Sequence, residues 1–168
     1  MTTAAVPKDG ATVGSGPASV ARWPAWIGTV LSLVGIGVSS YLTYAHYTTA
    51  TSLACPESGI VNCVKVTTSQ YSHIFGFPVA VLGLAFFVAM LPLQLPVAWR
   101  IRWMPLRAAR LAATVVGVGM IVWLLYAELF KLDAICLYCT AVHVLAVLLF
   151  FSTVLGTVAT GPVPAEDD

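Results

Sequence analysis

The chain has 168 residues, of which 59% are hydrophobic and 9% charged, with a formal net charge of +1 and a mean hydropathy of +0.90. That balance excludes an ordinary soluble globular domain, and so small a positive charge leaves no electrostatic footprint for nucleic acid. The chain is built for a lipid bilayer.

Residues 1–22 are rich in Ala, Gly, Ser, Thr and Pro and lack hydrophobic periodicity, so they read as a disordered tail. A helix crosses the hydrocarbon core with roughly 20 apolar residues. Four windows meet that length: about Trp26 to Tyr44, Phe77 to Leu95, Leu106 to Leu125, and Ile135 to Leu155. The first reads as a retained span, because a long polar stretch precedes it and no small-residue cleavage site follows its apolar part. Gly28, Ser32, Gly35 and Ser39 make a small-residue face along it, and Ala109, Ala113 and Gly117 make another along the third. Both predict close helix packing and no chemistry. Pro78 follows the turn-like Phe75-Gly76-Phe77 and suits the first turn of the second span. Residues 159–168 form a second solvated tail. Residues 23–158 are then one all-α integral membrane domain, a four-transmembrane-helix bundle carrying an extracytoplasmic cap of loop and short helix.

Orientation follows from the basic residues. Lys8 and Arg22 precede the first span, and Arg100, Arg102, Arg107 and Arg110 lie between or at the ends of the second and third, whereas only Lys65 and Lys131 fall on the other side. The positive-inside rule puts both termini in the cytoplasm. The aromatic residues agree, with Trp99 and Trp103 at the inner boundary and Tyr41, Tyr44, Tyr47 and Tyr138 near the outer one. All four cysteines then face an oxidising compartment, the periplasm or its equivalent in a bacterium and the ER lumen in a eukaryotic cell.

Those cysteines form two pairs. Cys55 and Cys63 flank seven residues in a polar connection, with Ser58-Gly59 as a natural turn, and can close into a disulfide loop. The stretch Val64 to Ile74 after them mixes apolar and polar residues, as a short helix or ordered cap on the bundle mouth would, which brings the loop thiols towards Cys136. Cys136 and Cys139 open the fourth span, three residues apart and therefore on one helical face. With Asp133 capping that helix, its first-turn N–H groups would favour a thiolate at Cys136, while Cys139 lies a turn deeper. Two pairs suggest a relay towards a lipid-dissolved acceptor. A tetrahedral metal site of four cysteines lacks the usual paired C-x-x-C spacing, and no metal is expected. His143, one turn beyond Cys139, points into the bundle, either to serve a quinone oxygen or to bond a neighbouring helix. His46 and His73 read as interfacial, and Glu128 with Lys131 as a surface pair.

Taken together, Cys55-x7-Cys63, Ser69-Gln70-Tyr71, Ile74-Phe75-Gly76-Phe77-Pro78 and Cys136-x-x-Cys139 occur in the order and membrane context of the vitamin K epoxide reductase homologues, and the chain resembles their bacterial branch from Trp23 to about Leu155. The resemblance implies a four-helix bundle that holds a quinone, of menaquinone or ubiquinone type, near its outer face. It makes Cys136 and Cys139 the active-site pair and Cys55 and Cys63 the shuttle. It maps Ser69 to a serine beside the active site, Phe75 to an aromatic wall of the quinone pocket, and His143 to a position that is tyrosine in animal members.

The expected activity is that of a quinone-dependent thiol oxidoreductase in a bacterial inner (plasma) membrane, which reoxidises a separate extracytoplasmic thioredoxin-fold (DsbA-like) protein. The partner is expected in trans because the chain ends soon after the fourth span. A DsbB-type oxidase would carry its two pairs in the opposite order. The alternative outside enzymes is a membrane scaffold or transporter subunit with two structural disulfides.

Overall fold

The computed structural model describes residues 22–48, 54–55, 58–101 and 103–161. The expected tails fall outside the described residues except near the bundle, where Arg22 already opens the first helix. Helix α1 (Arg22–Thr48) is apolar along its length. Its hydroxyl residues turn their O–H groups back onto the carbonyl four residues earlier, Thr29 on Ala25, Ser32 on Gly28 and Thr43 on Ser39, each at 2.8 Å. Such back-bonding lets small polar residues sit in an apolar helix.

The small-residue face of α1 is the seam with α3 (Val79–Gln94). A Cβ added to Gly28 would collide with the Gln94 side chain and one on Gly35 with the Phe87 ring, while Ser32 and Ser39 are fully buried. The corresponding reading of the third span holds at two of its three residues. On α5 (Met104–Ala127) the buried line runs through Arg110, Thr114 and Ile121; of the expected face Ala113 packs against the core cluster and Gly117 comes close to the Phe86 ring, while Ala109 is exposed.

Among the described residues three helices are long and apolar enough to cross a membrane, Trp23–Thr48, Met104–Leu132 and Leu137–Ala159; the second predicted window holds a shorter apolar helix. The 16 residues of α3 rise about 24 Å at 1.5 Å each, short of a hydrocarbon core of about 30 Å. The cause is Pro96. The residue before a proline is driven out of the helical region, and Leu95 takes φ −56° and ψ 142° before Pro96 starts the short α4 (Pro96–Arg100). At the other end Pro78 precedes the helix instead of occupying its first turn, since it pairs with His73 in a two-residue-strand hairpin, β1 (His73–Ile74) and β2 (Phe77–Pro78).

The carbonyls freed at this break are satisfied by side chains. Arg110 donates to Leu93 O at 2.9 Å and to Ala98 O at 3.4 Å, and Thr29 to Gln94 O at 3.0 Å. Gln94 donates to Thr153 Oγ1 at 2.7 Å and accepts from Trp99 Nε1 at 3.2 Å, with the Arg110 guanidinium 4.0 Å over the Trp99 ring. Trp99 is therefore buried in this clasp and not spread at a boundary. Arg107 adds bonds to the carbonyls of Thr157 and Gly161. The clasp ties the start of α1, the α3–α5 connection and the end of α6 (Leu137–Ala159) into one end of the bundle.

The opposite end carries all four cysteines. There α2 (Cys63–Thr67), a 3-10 turn (Gln70–Ser72) and the hairpin form the cap that the Val64 to Ile74 stretch predicted. Helix α1 packs on both α3 and α6, and α5 on α6, while α3 and α5 meet only sparingly.

Candidate thiol relay and its cavity

Backbone pairing fixes the loop against the fourth helix. Ser58 and Val61 close a tight turn around Gly59, which has φ 57°, a value that favours glycine. Val61 then forms a parallel bridge with Ile135: Ile135 N–H donates to Ile60 O at 2.8 Å, and Asn62 N–H to Ile135 O at 3.1 Å. Asn62 also caps α2, its Oδ1 accepting from Lys65 N–H at 2.8 Å. The residue after that cap is Cys63. It is bonded to Cys55, with a Cα–Cα distance of 6.2 Å. Cys63 and Cys136 are both fully buried in one apolar cluster with Leu42, Ala45, Val66 and Ala134, and Cys55 and Cys139 pack against it.

Cys136 and Cys139 are free thiols. Cys136 is itself the N-cap of α6, its Sγ accepting the Cys139 backbone N–H at 3.4 Å. This corrects the expectation for Asp133. That residue adopts a left-handed conformation, φ 47°, and closes the preceding helix, its backbone N–H bonding Glu128 O. The hydrogen bond from the Cys139 thiol, helped by the backbone N–H groups of Cys139 and Tyr138, outweighs burial and brings the Cys136 thiol down to about 7. A thiol at that value is substantially thiolate at neutral pH, the attacking form in disulfide exchange.

Two tyrosines brace the far side of the loop. The Tyr138 hydroxyl donates to Ala54 O at 3.0 Å, the Ala54 N–H donates to the Tyr41 hydroxyl at 3.4 Å, and the two rings meet at 5.1 Å. The residue between the helix cysteines, unremarkable in sequence, is thus a strut beside Cys55. A tyrosine within a C-x-x-C was the available signal, but its partner lies in an irregular loop that periodicity does not reach.

Behind Cys139 lies a cavity of about 390 Å³ between α1, α3, α5 and α6, with mostly apolar walls that include Phe86 and Phe87. His143, Ser69 and Phe75 line it. Ser69 is half-buried, and its hydroxyl donates to Val66 O at 2.8 Å, so its proton is already directed away from the cavity. Phe75 stands at the rim, 98% exposed at the hairpin tip, with φ 53° beside Gly76 at φ 83°. Both central residues of that two-residue turn have positive φ, the geometry that matches strand twist in a tight hairpin. His46 also lines the cavity, with its ring 5.2 Å from that of His73.

Among the described residues, three buried side-chain polar atoms have no hydrogen-bond partner: Ser39 Oγ, Glu128 Oε2 and His143 Nδ1. All three residues line this cavity. Leaving such groups unpaired costs about 1–3 kcal/mol each. Glu128 departs from the expected surface pair with Lys131. It is buried, whereas Lys131 is exposed and lies 5.8 Å from the centre of the Tyr126 ring. The signal in the sequence was a lone carboxylate inside Leu124-Leu125-Tyr126-Ala127-Glu128-Leu129-Phe130, since an ionisable residue in an apolar run normally faces the bundle interior. No group of three or more His, Cys, Asp or Glu among the described residues is arranged to hold a metal ion.

A disulfide-bonded loop pair docked on a free C-x-x-C pair at one end of a multi-pass apolar bundle is the arrangement of a membrane thiol–disulfide oxidoreductase. Residues 26–154 match the model of the Vitamin K epoxide reductase family, and the chain belongs to that family.

Proposed function

We propose that the protein is a quinone-linked thiol oxidase, in which Cys55 and Cys63 accept electrons from a thioredoxin-fold protein and Cys136 and Cys139 deliver them to the cavity. The observation that carries this reading is an apolar cavity beside Cys139 whose lining includes Ser39, Glu128 and His143, the three residues with an unpaired buried polar atom among those described. Apolar walls with a few fixed polar groups suit a small ring bearing two carbonyl oxygens and a lipid-like tail. Of the residues expected to meet such an oxygen, His143 is the better donor: neutral imidazole carries one N–H, and the Ser69 hydroxyl is already engaged. Phe75 would close the rim.

When bound, the quinone supplies a two-electron, two-proton acceptor. The chain's own residues do the rest. A partner thiolate attacks Cys55, the Cys55–Cys63 bond breaks, and Cys63 leaves as a thiolate. With the helix pair oxidised, Cys63 attacks Cys136 and releases Cys139; Cys139 stays reduced while the partner's second thiol resolves the bond at Cys55. Attack by Cys55 on Cys63 then restores the loop disulfide and leaves the helix pair as two thiols, the redox arrangement described above. Burial of Cys63 against Cys136 supports this order, and Tyr41 and Tyr138 hold the entry side of the loop.

On the same reading the chain spans a bacterial plasma membrane four times, with α3 and α4 together completing the second crossing. Both termini and the arginine-bearing connection are cytoplasmic and the cysteines extracytoplasmic. The test is to supply purified protein with a short-chain quinone and a reduced DsbA-like protein and to follow quinone absorbance. The reading predicts reduction that requires the thiol donor and disappears in C136S and C139S; absence of thiol-dependent reduction across several quinones and donors would remove it.

A further inference from the structure

Helix α5 ends in a π-helical turn, Glu128–Leu132. Such turns occur mostly where a helix is distorted for function. The Glu128 carbonyl accepts the N–H of both Asp133 and Ala134, the latter at 3.2 Å, so the turn is closed two residues before Cys136. Its side chain is 96% buried, since 4% is exposed, with Oε2 unpaired, and it lines the cavity with Cys139 and His143. A structural carboxyl at such depth would be bonded to a donor or a cation. This one keeps Oε2 unpaired in a residue that lines the same cavity as Cys139.

We propose that the Glu128 carboxyl is the proton-transfer group of the helix dithiol, taking the proton released as Cys139 bonds to Cys136 and giving one to the electron acceptor in the cavity. This rests on the quinone-oxidase reading. Cys136 thiolate and Cys139 thiol form one S–S bond, two electrons leave for the acceptor, and the Cys139 proton goes to Glu128 as the proton already on Glu128 goes to the acceptor's oxygen. The second proton comes from water at the cavity rim, replacing the one Cys136 gave up. The titratable groups that line this space with Glu128 are Cys139 and His143 from α6, His46 from α1 and Tyr71 from the 3-10 turn of the cap; Cys136 lies in the adjoining buried cluster, against which Cys139 packs. Lys131, on the same turn as Glu128, is exposed against Tyr126. Among the described residues the other buried side chains with an unpaired polar atom are Ser39, which does not titrate in this range, and His143, one turn deeper than Cys139.

The test compares E128Q, E128D and the unmodified full-length protein. General acid–base groups typically contribute 10²–10⁴-fold, so dithiol-driven reduction of a short-chain quinone should fall about 100-fold in kcat for E128Q with little change in KM, and recover substantially in E128D. Without any quinone, alkylation of the reduced helix pair should begin at lower pH in E128Q, because a carboxyl that becomes negative beside the sulfurs has been removed. A kcat within threefold of the unmodified protein, or an unshifted alkylation profile, would overturn the proposal. If the unmodified protein reduces no quinone, the oxidase reading fails by itself and the alkylation profile still decides the role of Glu128. Should E128Q fail to fold, infrared difference spectra of the unmodified protein between reduced and oxidised helix pair decide: a carboxyl band that shifts supports the proposal, and a silent carboxyl region overturns it.

Discussion

The Tyr138 hydroxyl donates a hydrogen bond to the Ala54 carbonyl at 3.0 Å, joining the residue before Cys139 to the residue before Cys55 across 84 positions of chain. Each thiol pair is thereby anchored to the other through a neighbour. One hydrogen bond of this kind is worth about 0.5–1.5 kcal/mol net. Tyr138→Phe should therefore slow electron transfer from the loop to the helix pair by about tenfold or less, with the quinone constant unchanged. Rapid-mixing thiol trapping reads the step, and an unaltered rate would mean that the strut is only decorative.

The Cys136 thiol, brought down to about 7 chiefly by the Cys139 thiol, gives a signed pH dependence. Thiolate is present above that value and is lost as pH falls through it. Alkylation of Cys136 in the reduced protein should rise through about pH 7, whereas in Cys139→Ala, which lacks the donating thiol, the midpoint should move up towards the ordinary value of about 8.5. A midpoint that stays in place in the variant would assign the shift to the helix N-terminus instead.

His143 lines the cavity with an unpaired ring nitrogen. If it donates one neutral hydrogen bond to the acceptor, His143→Ala should raise the apparent quinone constant by about tenfold or less and leave exchange with the protein partner intact. Complete loss of partner oxidation in a folded variant would instead make His143 a required proton carrier.

The clasp at the other end concerns stability and not chemistry. Gln94 is fully buried and bonded to Thr153, Trp99 and, through its carbonyl, Thr29. Gln94→Leu keeps the volume but strands the Trp99 N–H, at a cost of about 1–3 kcal/mol. Thermal unfolding in detergent should show the loss, while quinone reduction below the transition stays normal.

The bundle and its thiols were legible because their signals are local: apolar length marks α1, α5 and α6, and three-residue spacing puts Cys136 and Cys139 on one turn. The cap after Cys63 was legible for the same reason. What escaped depends on contacts distant in sequence. Leu95 breaks the second window through the rule that governs any residue before proline, but its freed carbonyls are tolerable only because Arg110 and Thr29 reach them from other helices. Trp99 looked interfacial until Arg110 and Gln94 enclosed it. Glu128 looked paired with Lys131 at a spacing that suits an α-helix, and the π-helical turn separates their environments. Cys136 caps its own helix where Asp133, the more usual capping type, turns left-handed to end the one before.

The central claim is that electrons pass from the loop pair to the helix pair through Cys63 and Cys136, which share one buried cluster. Without Cys139 the Cys136 thiolate has only the loop disulfide to attack, and once the displaced Cys55 thiol is blocked it cannot reverse the bond formed, so that junction is captured. Mass spectrometry of non-reduced peptides from Cys139→Ser, isolated from cells with thiols blocked, should recover a Cys63 to Cys136 disulfide as the main product; a Cys55 to Cys136 bond in its place would contradict the account.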